Sequence, residues 1–269
     1  MQLEGNIGFL GYGNMGAAIL EGLIEAGMLT GKHAVIFDPA ELRQQAAERV
    51  GANVADSPAA LAAQCDTLVL AVKPQIMTDA IEGFGGQSKM PQRVISIAAG
   101  ISIRSLQERL GEHVHIVRVM PNTPALVSAG AAGIALGPNC DDSDAAVARA
   151  MFESIGLAVM VPEKDIDAVT ALSGSGPAYF FRMVECLVKA AVAEGLDAAT
   201  AAKLAGQTLL GAGKLLQTSG ESAAVLRERV TSKGGTTEAA LRSFDEDGLE
   251  AMVRAAVSAA AARSRELGG

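Results

Sequence analysis

Two stretches carry residue types whose spacing suits chemistry. Residues 231–241 read T-S-K-G-G-T-T-E-A-A-L: two glycines, two threonines, then an uninterrupted helix-forming run. A chain builds a helix start with outward-facing amides in this way. The positive pole of the helix dipole at such an end suits a small carboxylate. Residues 6–16 form a second glycine-rich helix start, N-I-G-F-L-G-Y-G-N-M-G, and this one suits a diphosphate. An anion at each end fits hydride transfer, which needs a positioned cofactor, a positioned electrophile and one proton rather than a nucleophile. Rival chemistries have little support. The histidines are His33, His113 and His115, with no H-E-x-x-H, so no metal site is expected. Asp141, Asp142 and Asp144 read as a solvated loop and helix cap. Ser173-Gly174-Ser175-Gly176 fails as a hydrolase elbow, because position 173 is Ser where that turn requires Gly.

G-x-G-x-x-G alone is a weak signal, but here a strand precedes it, a helix follows, and an acidic residue ends the next strand. Gly11 makes the tight turn, Gly13 lets backbone approach a pyrophosphate, and Gly16 permits close helix–strand packing. Asp38 is placed to bond ribose hydroxyls. Together these predict a nicotinamide dinucleotide site. Asp38 favours a free 2′-hydroxyl and nearby Arg43 offsets it, so the cofactor reads as NADPH or NADH. Strand carboxyl ends are where doubly wound sheets place ligands. Ala71, Val72, Lys73 and Pro74 end one strand there, with Pro74 forcing an extended bend and Lys73 reading as a solvated lysine within reach of phosphate or ribose. S-I-A-A-G (96–100) and M-P-N-T-P (120–124) end the next two, with small residues leaving room for a ring and Asn122 offering a polar group to the cleft.

These motifs need a frame. Apolar runs at 6–10, 34–37, 67–72, 93–97 and 115–119 read as strands, with helices over 15–26, 41–50 and 103–110. Alternation of this kind predicts an α/β fold with a parallel, doubly wound sheet. Residues 133–136 and 158–161 add one or two strands around a helix over 144–154. After Pro162 the grammar changes to helices only: 166–172, 177–194, 198–216, 223–230, 236–244 and 249–266. The domain boundary therefore falls near 161–165. Ala205, Gly206, Gly211, Ala212 and Gly213 run small residues through a long helix, at a cost in propensity. Close approach to a helix of a second subunit and packing within one chain explain that equally well.

Composition narrows the partners. A net charge of −8, from 22 basic and 30 acidic residues, argues against nucleic acid or an anionic membrane. Anionic ligands must then be held by local devices. Three widely spaced cysteines without C-x-x-C, and no basic-then-apolar leader, predict a cytoplasmic protein without disulfides. Residues 119–140 lack charge over a membrane-like length, but Pro121, Asn122, Pro124 and Gly130 break them, so no spanning helix is expected.

G-Y-G-N-M-G, A-V-K-P-Q, S-I-A-A-G, V-M-P-N-T-P, L-S-G-S-G-P-A-Y and V-T-S-K-G-G-T-T, in this order over residues 6–266, closely resemble the pyrroline-5-carboxylate reductase family. The resemblance implies NAD(P)H-dependent reduction of 1-pyrroline-5-carboxylate to L-proline. It implies a Rossmann domain over 1–162 and an all-α domain over 163–269 that dimerises and binds substrate, with further assembly of dimers in some members. It also implies a site between one subunit's Rossmann domain and helices of the dimer. By position, substrate contacts fall on Glu163, Ser232, Gly235, Thr236 and Thr237, with Thr237 at the ring nitrogen as the catalytic group. Cofactor contacts fall on Leu10, Gly11, Gly13, Asn14 and Met15, on 71–74 and on Ala99. The chain departs from the family at Arg229, where some members have Asn. It also has Ser57-Pro58 where many have Asn, which puts an adenosine contact in doubt. The alternatives are a β-hydroxyacid-type dehydrogenase, which would want a catalytic lysine among Lys189, Lys203 and Lys214, and a dinucleotide-sensing protein without activity.

Overall fold

The computed structural model describes residues 2–84 and 90–268. Its first part alternates strand and helix: β1 (Ile7–Leu10), α1 (Asn14–Glu25), β2 (Ala34–Phe37), α2 (Glu41–Arg49), β3 (Asn53–Val54), α3 (Pro58–Gln64), β4 (Thr67–Leu70), α4 (Met77–Glu82), β5 (Arg93–Ser96), α5 (Ile103–Leu110), β6 (His115–Met120), β7 (Gly130–Leu136), α6 (Asp142–Glu153), β8 (Gly156–Met160) and α7 (Ile166–Val169). The helices α8 (Gly176–Ala193), α9 (Ala198–Ser219), α10 (Ala223–Arg229), α11 (Thr236–Glu246) and α12 (Leu249–Gly268) complete it.

The sheet order is β3-β2-β1-β4-β5-β6-β7-β8. Strand order reverses between β1 and β4, and a doubly wound sheet opens a crevice at such a reversal. Both strands are wholly buried, as their unbroken apolar runs require of strands covered on both faces. Successive residues feed opposite cores: Phe9, Val69, Ile95 and Val117 enter one, and Leu10, Leu68, Val94 and Ile116 the other. The expected parallel, doubly wound sheet runs from β3 through β6; β7 then runs antiparallel to β6, while β8 is parallel to β7. The reason is the 121–129 connection, a short 3-10 turn without the crossover helix a parallel partner needs.

Two compact units result, Met1–Ser175 with Ala260–Gly269, and Gly176–Ala259. This division lies beyond the change of grammar at Pro162, because α7 packs on β6 and β7 and Val169 fills the space over Gly133. The helix expected over 166–172 widens after Val169 into a π turn, Thr170–Gly174, where the Ser175 amide donates to the Thr170 carbonyl at 2.8 Å.

In the second unit α8 turns into α9 through Gly195 at φ +100, and Asp197 caps α9 by accepting from the amides of Ala199 and Thr200. Large apolar side chains stay exposed here, among them Phe180, Phe181, Leu204, Leu210, Leu215 and Met252. Apart from the adjoining backbone of α9 itself, no described atom lies within 4 Å of where a Cβ would sit on Gly206, Gly211 or Gly213. Among the described residues, no neighbouring element fills the space beside these glycines of α9. Among the described residues no helix is long and apolar enough to cross a membrane.

Candidate active site

The dinucleotide end is built by backbone fit. Gly11 sits at φ +96, and a Cβ there would meet the Ala71 carbonyl oxygen at 2.9 Å. A Cβ on Gly16 would meet the Gly11 carbonyl at 2.7 Å, so α1 is seated directly on the loop. Gly13, the N-cap of α1, has open space where its Cβ would be, and no side chain caps the helix. A twelve-residue helix with an uncapped start and no acidic residue in its first turn presents amides and partial positive charge to a diphosphate. Leu10 is buried beneath the loop, Met15 is half-buried and Asn14 exposed at its mouth.

The neighbouring strand ends complete a continuous lip. The Ala71 amide donates to Leu10 O at 2.9 Å and the Ile97 amide to Leu70 O at 3.1 Å. Val72 lies against Gly11. Lys73 is exposed and extended, and Pro74 opens a 3-10 turn. Ala99 is half-buried beside Gly100, which takes φ +79.

Three residues assigned to ligands from sequence do structural work. Asp38 turns its carboxylate onto backbone: Oδ2 accepts from the Tyr12 amide at 2.8 Å and Oδ1 from the Ala40 amide at 2.9 Å. It thus holds the glycine loop to the end of β2. Arg43 Nη2 reaches Asn14 Oδ1 at 3.3 Å, so the loop mouth carries a guanidinium. Burial and the Glu21 carboxylate push the Tyr12 phenol up to about 12, and Tyr12 packs as a core group. Asn122 commits both ends of its amide to backbone: its Nδ2 donates to Ser173 O at 2.9 Å and its Oδ1 accepts from the Ala131 amide at 2.8 Å. It brackets the π turn to the starts of β7 and of the β6–β7 connection. Asn122→Ala removes both bonds from a buried site and is expected to cost about 1–3 kcal/mol of stability, measured by chemical denaturation. Glu163 Oε1 accepts from the Ile103 amide at 2.7 Å and from Arg118 Nη1 at 3.2 Å, tying the start of α5 to β6. The signal for that pair in the sequence is Arg118, a lone charge inside an apolar strand.

The carboxylate end lies in the second unit. Gly234 takes φ +72 and Gly235 is the extended N-cap of α11, with no side-chain cap. Glu238 Oε2 accepts from the Gly234 amide at 2.5 Å, and the Gly235 amide donates to Ser232 O at 3.0 Å. This corrects the expected role of Gly235: its amide closes the turn, and the outward amides belong to Thr236, Thr237 and Glu238. Ser232 and Thr236 are exposed, Thr237 half-buried.

A polar cluster that sequence reading missed occupies the opposite edge of the sheet. Asp144, 1% exposed, accepts from Arg93 Nε at 2.5 Å and from the Asp141 amide at 2.9 Å, and pairs with His115 Nδ1 at 2.7 Å. Asp144 is thus no solvated residue, although it does complete the capping box with Asp141. Donor atoms of His115, Asp141 and Asp144 lie within 4.8 Å of one another, but the Arg93 guanidinium already supplies the cation.

Glycine loop, uncapped α1 and helical second unit together define a nicotinamide-dinucleotide-dependent oxidoreductase of the Rossmann type. The family model described as pyrroline-5-carboxylate reductase dimerisation matches residues 163–267, and one described as NADP oxidoreductase, coenzyme F420-dependent, matches residues 6–100. The chain is 40% identical over 97% of its length to pyrroline-5-carboxylate reductase of Methanosarcina acetivorans, covering 97% of that protein. It is 37% identical to that of Arabidopsis thaliana, over 97% of this chain and 95% of the relative. The solved structure from Coxiella burnetii superposes with a TM-score of 0.92 at 35% identity, over 98% of this chain and 99% of that one. The Plasmodium falciparum enzyme with NADP bound gives 0.86 at 31% identity, over 100% of both chains. The chain belongs to the pyrroline-5-carboxylate reductase family.

Proposed function

We propose that this protein reduces the C=N bond of 1-pyrroline-5-carboxylate to L-proline with NAD(P)H, as a cytoplasmic homodimer. The observation that carries the reading is the pair of helix starts, α1 and α11, each glycine-built and without a side-chain cap. When bound, the dinucleotide supplies the hydride. Residues 10–15 hold its diphosphate on the amides of α1, and the lip of 71–74 and Ala99 seats the ring. The outward amides of α11 hold the substrate carboxylate, which is how an acidic protein binds an acid without an arginine clamp. Ser232 and Thr236 add hydroxyl donors. Thr237 bonds the ring nitrogen and fixes the direction of the C=N; a threonine is too weak an acid to protonate that nitrogen unaided, so its work is orientation and relay.

Arg43 beside Asn14, and a carboxylate at Asp38 already committed to two amides, favour the 2′-phosphate of NADPH over a bare ribose. Residues 1–162 serve the cofactor and 163–269 the substrate and dimer. The apolar side chains exposed on α8, α9 and α12 support the dimer, and three free thiols suit a reducing compartment. Lys189, Lys203 and Lys214 are all exposed, which gives the β-hydroxyacid reading no buried catalytic lysine.

Absorbance at the nicotinamide band, followed with pyrroline-5-carboxylate and each cofactor in turn, tests the reading. Oxidation is expected with both and faster with NADPH at low concentration. Cofactor binding without oxidation of either would replace the reductase with a sensor.

A further inference from the structure

The end of the chain returns to the cofactor side of the first unit. There the backbone of α12 lies directly over Gly100: a Cβ at Gly100 would be 2.9 Å from Leu267 Cβ and 3.0 Å from the Leu267 carbonyl carbon and oxygen. Gly100 is buried at φ +79, a conformation and a clearance that only glycine supplies. One turn back, Ser264 is 4% exposed, and its Oγ donates to Asp167 Oδ1 of α7 at 2.6 Å. A buried hydroxyl on a carboxylate is a directional anchor, stronger than a bond between neutral groups. The 97–103 segment, which carries Ala99, is therefore held at two places. Leu267 presses on Gly100, and Glu163 accepts from the Ile103 amide at its far end.

We propose that the last turns of α12, anchored by Ser264 on Asp167, are a positioning element for the cofactor loop around Ala99. This rests on the reading that Ala99 lines the nicotinamide seat. Ser264 and Asp167 touch no reacting atom; they act through the loop by fixing the helix end that Gly100 packs against. Loosening the anchor lets the loop leave its binding geometry in the free enzyme, which raises the cofactor KM more than it lowers kcat at saturation.

Ser264→Ala and Asp167→Ala are each expected to raise the KM for NADPH about tenfold, the equivalent of roughly 1.4 kcal/mol. Under saturating NADPH, kcat and the KM for pyrroline-5-carboxylate stay within about twofold of the parent. Asp167→Asn keeps an acceptor oxygen without the charge and recovers part of the parental affinity, and the double alanine variant is no worse than either single one, because both remove the same bond. An unchanged NADPH KM in Ser264→Ala overturns the proposal. So does a rise of both KM values together with a fall of kcat and of melting temperature, which marks a merely structural contact. Ala99→Val separates the two layers: if it leaves the NADPH dissociation constant of the full-length protein unchanged, the reading of the loop itself falls.

Discussion

Thr237→Ala is expected to lower kcat/KM for pyrroline-5-carboxylate by about 30- to 700-fold, the equivalent of roughly 2–4 kcal/mol for one orienting hydrogen bond to a group that develops charge. The geometry separates this from a loss of helix stability. The N-cap of α11 is Gly235, not a threonine, so removing the Thr237 hydroxyl breaks no cap. Melting temperature and dimer formation should match the parent. Thr237→Ser retains the hydroxyl and should keep most of the rate. The loss should appear in kcat as well as in kcat/KM, because orientation of the C=N matters most where the hydride moves. Parental turnover in Thr237→Ala would sink its assigned role. A normal rate with a lowered melting temperature would reassign the residue to the helix start alone.

The second large effect lies on the opposite edge of the sheet. Asp144→Ala takes the carboxylate partner from the Arg93 guanidinium, itself 21% exposed, leaving it the Thr67 and Ser143 hydroxyls, and takes from His115 its Nδ1 partner. Removing one member of a buried ion pair costs about 3–5 kcal/mol, and the part-exposure of Arg93 puts this case at the lower end. The pH dependence has a definite sign. Burial pushes the Asp144 carboxyl up, but the Asp141 amide, the Arg93 and His115 hydrogen bonds and the Arg93 charge outweigh it and hold the group below its ordinary 3.8. The folded state thus prefers the ionised form. Its contribution is present above about pH 3.8 and is lost as pH falls through the lower folded value. Denaturant midpoints measured from pH 7 down to pH 3 should fall more steeply for the parent than for Asp144→Ala. Superimposable curves would show that the cluster stores no such energy. Cofactor KM values should not move in the variant that still folds, since Asp144 sits in the first turn of α6, at the opposite edge of the sheet from the glycine loop.

What the amino-acid sequence determined was everything with a local cause. Apolar runs and turn residues set β2 and α5 to the residue, and set the remaining long elements to within a few positions. Glycines announced both helix starts, because φ values such as +96 at Gly11 and +72 at Gly234 belong to that residue type. Short elements such as β3 and α4 carry too few residues for a period to show. Tertiary structure alone decided which polar groups are free for ligands. Asp38, Asn122, Glu163 and Gly235 all looked available in the sequence, and each is committed. Asn122 bonds a carbonyl 51 residues away, Asp144 an arginine 51 away, and Ser264 a carboxylate 97 away. Periodicity records which face of an element is buried, but not which strand will lie beside it. The antiparallel β7 and the returning end of α12 choose those neighbours. A buried polar group must bond to whatever neighbour the fold supplies, and no spacing along the chain encodes that choice.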